Sequence, residues 1–206
     1  MLKLVYSPTS PYVRKVMMVA KETGLADSIE LVSGVGGTPT APNTAVVSAN
    51  PLGKLPALIR DDGPAIFDSP VICQYLDSLH GGHKLYPAGA ARWSALTLEA
   101  LADGILDAAI LVVYESRLRP EEIRYQPWVD SQLLKVTRAL DSLEAGWLAH
   151  LKGPVDIGSI TVACALGYLD LRFADMGWRD TRPGLAAWLA GFAARDSYAS
   201  TMPPAA

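Results

Sequence analysis

Three proline-marked segments hold the residues best suited to chemistry. In Ser7-Pro8-Thr9-Ser10-Pro11, Ser10 stands where a helix N-cap belongs and Pro11 at the first helical position, where its missing N–H costs nothing. As a cap the Ser10 hydroxyl would only satisfy the helix; as a functional group, it and the positive helix end would face a ligand anion. In Asn50-Pro-Leu-Gly-Lys-Leu-Pro56-Ala-Leu a proline opens a strand directly after Leu55. Such a proline suits a cis peptide, which leaves the neighbouring main-chain N–H and C=O open to a partner. In Phe67-Asp68-Ser69-Pro70 a second N-cap serine precedes a proline, now with a carboxylate beside it. Helix N-terminus, hydroxyl and acid together can hold the carboxylate and the ammonium of an amino acid at once.

Several other chemistries lack their residues. Ser33-Gly-Val-Gly-Gly-Thr follows a strand but is not G-x-G-x-x-G, and Pro39 stands where a phosphate-binding helix should begin. The sequence contains no G-x-x-x-x-G-K-[ST], no G-x-S-x-G and no C-x-x-C, and His80, His83 and His150 have no metal-ligand spacing with any cysteine. No metal is therefore expected. His80 and His83 flank a glycine pair and read as solvated loop residues.

The elements that must position the three segments fall into two groups. Through about residue 80, short strands mix with helices: a strand over Leu2–Tyr6, a helix over Val13–Thr23 stopped by Gly24, and a strand over Ile29–Ser33. An irregular connection follows from Gly34 to Ala49, long enough to suggest a functional loop. A hairpin comes next, with Leu55–Arg60 and Ala65–Phe67 bracketing the acidic turn Asp61-Asp62-Gly63-Pro64, and then a helix over Ser69–His80. Gly81 to Ala91 is the linker candidate. Beyond it the pattern is helical, and Val129, Leu133, Val136, Leu140, Leu143 and Trp147 share one face. An earlier helix, about Arg92 to Leu118, buries Leu98, Leu101, Ile105, Ala109 and Val112 and carries an acidic row of Glu99, Asp103 and Asp107. That row repels itself by a few tenths of a kcal/mol per pair and reads first as a solvated face, second as a cleft or subunit contact with a basic partner. Asp156 caps a further helix with Ser159 three residues on, a capping box with its usual residue order reversed.

Composition removes whole classes of function. The 206 residues are 50% hydrophobic, with 18 basic and 21 acidic side chains and a net charge of -3, which offers no basic field to a phosphate backbone or an anionic membrane. Nucleic acid is not expected as a partner. No apolar run approaches the roughly 18 residues of a membrane span, and Pro8 interrupts the N-terminus before a signal-peptide apolar region could form. A cytoplasmic protein is expected. Cys73 and Cys164 lie far apart in apolar runs, which fits reduced core thiols rather than a disulfide framework.

The chain resembles the glutathione S-transferases along nearly its whole length. Thr9-Ser10-Pro11-Tyr12-Val13-Arg14-Lys15 resembles the active-site turn of the serine-type members, and Asn50-Pro-Leu-Gly-Lys-Leu-Pro56 the stretch ending in the family's cis-proline. Asp68-Ser69-Pro-Val-Ile-Cys-Gln-Tyr-Leu resembles the acid-serine motif that grips the γ-glutamyl end of glutathione. Ala102-Asp-Gly-Ile-Leu-Asp-Ala with Tyr114-Glu and Arg119-Pro120-Glu resembles a helix of bacterial members. The resemblance implies an α/β thioredoxin-like domain over residues 1–80, a linker over 81–91, an all-α domain over 92–206 that contributes an electrophile pocket, and a homodimer.

Carried over residue by residue, the resemblance makes Ser10 the hydroxyl that stabilises the glutathione thiolate. Leu55 would contact the cysteinyl backbone through its main chain with cis Pro56 behind it, and Asp68 and Ser69 would bind the γ-glutamyl group. Lys54 is near and basic. Ser7 is the runner-up to Ser10, and Thr9 sits in the same turn. Glutathione would be a co-substrate, with no tightly bound cofactor. The leading reading is a transferase that joins glutathione to a small hydrophobic electrophile in detoxification. A glutathione-dependent oxidoreductase or isomerase, and a non-catalytic glutathione-binding regulatory protein, are the alternatives.

Overall fold

The computed structural model describes residues 1–204. The chain divides into two compact units, Met1–Tyr86 together with the segment from Arg195 onward, and Pro87–Ala194. The terminal segment, grouped with the helical domain on sequence grounds, thus belongs to the first unit. Its short helix finds its polar partners there, as described below.

The first unit is built on a four-stranded sheet of order β2-β1-β3-β4, with β1 Leu2–Tyr6, β2 Ile29–Ser33, β3 Ala57–Arg60 and β4 Gly63–Ile66. β1 and β2 are parallel, joined by α1 over Pro11–Glu22; β3 runs antiparallel to β1, and β4 antiparallel to β3. Period-two alternation gives the sheet two apolar faces. Val5 and Ala57 cluster with Val46 and Ala49 of α2 (Thr44–Ala49), and Val32, Leu55 and Ala65 pack against them. Leu4 and Leu58 turn the other way, are fully buried, and lie on the side of β3 that takes α3 (Ser69–Ser78), with α1 packed on α3.

The linker and His80 are more ordered than the sequence reading allowed, while His83 is exposed as expected. Asp77, 4% exposed, accepts the main-chain N–H groups of Leu85 and Tyr86 at 2.8 and 3.2 Å. His80 Nε2 lies 3.0 Å from the same carboxylate, so His80 is a partly buried tether rather than a solvated loop residue. A buried acid here satisfies main-chain donors that the loop leaves unpaired.

The second unit holds α4 (Ala90–Leu118), α5 (Gln126–Gly146), α6 (Leu148–Leu151), α7 (Ile157–Arg172), α8 (Trp178–Thr181) and α9 (Pro183–Phe192). Its core is the contact of α4 with α7 and α5. Every residue of α7 from Ile157 to Leu169 is buried, as a helix that is apolar all round requires. At its start Gly158 lets the helices close in, since a Cβ there would meet Leu98 Cβ at 2.8 Å and the Ala95 carbonyl at 3.0 Å. The reversed capping box forms as read: Ser159 N–H donates to Asp156 Oδ1 at 2.9 Å and Asp156 N–H to Ser159 Oγ at 3.0 Å. The acidic row departs from a solvated face, because Glu99 is 4% exposed and only Asp107 of the three is open to solvent. Cys73 and Cys164 are buried and unbridged. Among the described residues no single helix is long and apolar enough to cross a membrane.

Candidate functional site

The first helix is built as its sequence requires. Ser10 is the N-cap of α1, its Oγ accepting from Val13 N–H at 3.3 Å with Pro11 in the first turn. Accepting that bond leaves the Ser10 O–H proton available to a ligand. The turn before it closes through Ser10 N–H donating to the Ser7 carbonyl at 3.1 Å. Ser7 is thus held by its main chain, while Thr9 is exposed.

The second segment is fixed from an unforeseen direction. Asn50, 3% exposed, accepts from Leu52 N–H at 3.0 Å and donates from Nδ2 to the Lys54 carbonyl at 2.9 Å. An Asx-turn of this kind needs Asn or Asp followed by turn formers, so Asn50-Pro51-Leu52-Gly53 carried the signal. Gly53 completes the turn with φ of +64°. Lys54 itself is exposed, and the Leu55–Pro56 peptide bond is cis. The Leu55 side chain faces the core cluster, as does the site of Gly34, where a Cβ would come within 3.1 Å of Leu55 Cδ2.

The third segment corrects the sequence reading of its cap. Asp68, not Ser69, is the N-cap of α3: Asp68 Oδ1 accepts from Ser69 N–H at 2.5 Å, and Ser69 is the first helical residue. Proline at the second helical position is tolerated as well as at the first, so the serine-proline pair could not fix the boundary. The shift changes the role open to the serine. Ser69 is 1% exposed and its Oγ has no hydrogen-bond partner among the described residues. A buried hydroxyl without a partner costs about 1–3 kcal/mol, which a ligand acceptor or water would relieve. Asp68 is exposed at the same helix end. The Phe67–Asp68 peptide bond is also cis.

Strand register brings the three segments to one end of the sheet. Val5 pairs with Ala57, which sets the turn after Tyr6 beside Pro56; Leu58 pairs with Ile66, which brings Phe67 to Ser69 to the same end. Both α1 and α3 therefore begin there, and neither has an acid in its first helical turn. Each free helix N-terminus carries roughly half a positive charge. Two such ends with a donor hydroxyl on one, and a carboxylate and an orphan hydroxyl on the other, can hold a zwitterionic, thiol-bearing peptide. Among the described residues no group of three or more His, Cys, Asp or Glu side chains could hold a metal ion.

Residues 9–79 match the family described as "Glutathione S-transferase, N-terminal domain", and residues 126–191 match "Glutathione S-transferase, C-terminal domain". The chain is 36% identical over 209 residues to the GST-like protein YibF of Escherichia coli K12, covering 100% of both. It is similar in structure to a glutathione transferase family member from Pseudomonas fluorescens Pf-5 with bound glutathione: TM-score 0.96, 49% identity, 99% of this chain and 100% of that one. A second structure from that organism, with bound S-(propanoic acid)-glutathione, gives a TM-score of 0.92 at 48% identity over the same shares.

Proposed function

The chain belongs to the glutathione S-transferase family, and from that premise we propose that it is a glutathione transferase whose Ser10 turns bound glutathione into a nucleophile. The observation that carries this reading is the meeting of Ser10, the Leu55–Pro56 segment and the unpartnered Ser69 hydroxyl at one end of the sheet. In this reading residues 1–80 form the glutathione-binding domain and the helical domain supplies the electrophile pocket. Asp68 and Ser69 take the γ-glutamyl ammonium and carboxylate, the Leu55 main chain takes the cysteinyl amide, and Lys54 lies within the same segment. The two Pseudomonas structures with bound glutathione and its propanoic acid conjugate support the ligand.

The energetics suffice without a further group. A thiol of pKa about 8.5 is only about 3% thiolate at pH 7, so ionising half of it needs about 2 kcal/mol. A hydrogen bond to a charged group contributes about 1.5–3 kcal/mol, and a helix N-terminus up to about 2. The thiol proton leaves to solvent and the Ser10 O–H donates to the thiolate. The sulfur then forms a bond to an electrophilic carbon, whose leaving group departs with its electron pair. A serine at this position disfavours a mixed disulfide on the protein, which sets the oxidoreductase alternative behind the transferase. A homodimer is supported by family membership and tested by the mass of the particle in solution, and a cytoplasmic location is tested by fractionation of the cells that make the protein.

The experiment is a pH titration of bound glutathione followed by thiolate ultraviolet absorbance, with Ser10→Ala and Ser7→Ala alongside. The wild type should ionise the thiol below its free pKa, Ser10→Ala should lose that shift and Ser7→Ala should keep it. Binding with no shift would favour the regulatory alternative.

A further inference from the structure

A buried cation stands on the helix that carries Ser10 and enters no ion pair. Arg14, 6% exposed, lies one turn into α1, and among the described residues no carboxylate comes within salt-bridge distance of it. Its side-chain partners all come from the end of the chain. Nη2 donates to the Tyr198 carbonyl at 3.2 Å and to Met202 Sδ at 2.9 Å, and Nε to Thr201 Oγ1 at 3.5 Å. The guanidinium carbon stands 4.0 Å from the centroid of the Tyr198 ring. The main chain of the same residue reaches the candidate site. Arg14 N–H donates to the Ser10 carbonyl at 3.0 Å, which closes the first helical turn, and Val13 N–H donates to Ser10 Oγ at 3.3 Å.

Stability does not account for an arginine at this position. A buried guanidinium gives up its hydration, these partners are neutral, and the near end of α1 is the positive end of the helix dipole. An apolar side chain of similar length would cover the same surface without those costs. Arg14 is not needed to bring the terminal segment to α1 either. Glu22, on the last turn, already accepts from Arg195 Nε and Nη2 at 2.9 and 2.8 Å and from Ser197 Oγ, and Lys21 Nζ donates to Asp196 Oδ2 at 3.2 Å. What Arg14 adds is a hold on the opposite end of the helix. A first turn has the fewest internal hydrogen bonds in a helix, and a side chain tied at four points keeps it from fraying.

We infer that Arg14 is a positioning residue: fixed by Tyr198, Thr201 and Met202, it holds the first turn of α1 so that the Ser10 O–H stays aimed at the glutathione sulfur. The inference rests on the transferase reading and extends it to the end of the chain, which otherwise has no part in the reaction. Misplacing a catalytic group by about 1 Å costs about 100-fold in rate. Glutathione binding also draws on the Leu55 main chain, Asp68 and Ser69 in that reading, so a frayed first turn costs more in turnover than in binding.

Amide hydrogen exchange of the full-length protein reads the cap through Val13 N–H, which bonds to Ser10 Oγ. Tyr198→Leu and Arg14→Met should speed exchange at Val13 about tenfold or more relative to Val19, farther along the same helix. Arg14→Lys keeps a charged donor for the Tyr198 carbonyl and should recover part of the protection. The same variants should raise the pKa of bound glutathione and lower kcat with a chlorodinitrobenzene about 10- to 100-fold, with KM for glutathione within about threefold. Glu22→Gln loosens the terminal segment at the far end of α1; it should leave the thiol pKa in place and keep Val13 exchange and kcat within about twofold of wild type. Val13 exchange that stays constant in Tyr198→Leu and Arg14→Met, or rises equally in Glu22→Gln, would overturn the hold on the cap. Faster exchange with unchanged thiol pKa and kcat would overturn its role in the reaction. A wild type that leaves the bound thiol at its free pKa overturns the transferase reading and the positioning role with it, while exchange still decides whether Arg14 secures the cap.

Discussion

The Arg14 guanidinium lies over the Tyr198 ring, its carbon 4.0 Å from the ring centroid, and its Nη2 donates to the Tyr198 carbonyl at 3.2 Å. Arg14 is 6% exposed, sits one helical turn after Ser10, and donates its own N–H to the Ser10 carbonyl at 3.0 Å. A helix over Asp196–Ala199 (α10) is thereby fastened to the helix that carries the candidate catalytic hydroxyl.

Removing the ring should loosen that fastening. Tyr198→Leu loses a buried cation–π contact of about 2 kcal/mol, which at this chain length lowers Tm by about 4–8 °C. Tyr198→Phe keeps the ring and the carbonyl bond and should melt above Tyr198→Leu. Equal melting of the two variants by differential scanning calorimetry would show that the stacked ring contributes nothing.

The same fastening should weaken in acid. Burial pushes the Glu22 carboxyl up, but hydrogen bonds from Arg195 and Ser197 and the charge of Arg195 outweigh it and hold Glu22 below its ordinary value of 4.5. A carboxyl depressed in the folded state contributes stability above its unfolded pKa and loses it as pH falls through the folded value. Urea unfolding should therefore show wild type and Glu22→Gln diverging at pH 6–7 and converging as pH falls below 4.5 and through the folded value. A constant difference between pH 7 and pH 3 would rule the ion pair out as its source.

Ser69→Ala should act with opposite signs on stability and on binding. The orphaned Oγ destabilises the free protein, so its removal should leave unfolding free energy unchanged or raise it by about 1 kcal/mol. If glutathione supplies the missing acceptor, calorimetry should find its affinity about tenfold weaker or more in the same variant. An unchanged glutathione Kd would take Ser69 out of the site.

The reversed cap on α7 should be worth as much as one in the usual order. Asp156 Oδ2 also lies 2.7 Å from His150 Nε2, within hydrogen-bond distance. Asp156→Ala should cost about 1–2 kcal/mol in chemical unfolding, and Asp156→Ser should recover part of it, since serine can still accept the Ser159 N–H. No loss in the alanine variant would mean that Ser159 alone starts the helix.

The sequence made visible those features whose signal is local. Ser10-Pro11 marks a helix start because cap and fixed φ act within one turn, and Val136, Leu140 and Leu143 mark a buried face because helical spacing is local too; all three are fully buried. Asp156 with Ser159 was readable in either order because a capping box spans three residues. Features made by partners far along the chain were not readable. Glu99 stands in a row with two more accessible acids, Asp103 and Asp107, and only the packing of α4 decides that it is the buried one of the three. Arg14 gives no local sign that its partner is Tyr198. Ser69 and Asp68 both suit an N-cap, and the choice between them fell to the strand that delivers the chain to the helix.

The first unit is discontinuous in sequence, which bears on how the protein is made. A ribosome that has released the chain as far as Tyr86 has supplied all four strands and α1 to α3, but not the ring that covers Arg14 or the guanidinium that pairs with Glu22. Those arrive only after the whole helical unit has been synthesised. Throughout that interval the nascent first unit holds Arg14 uncovered and Glu22 without its arginine, and it locks when the segment that carries Arg195 and Tyr198 emerges.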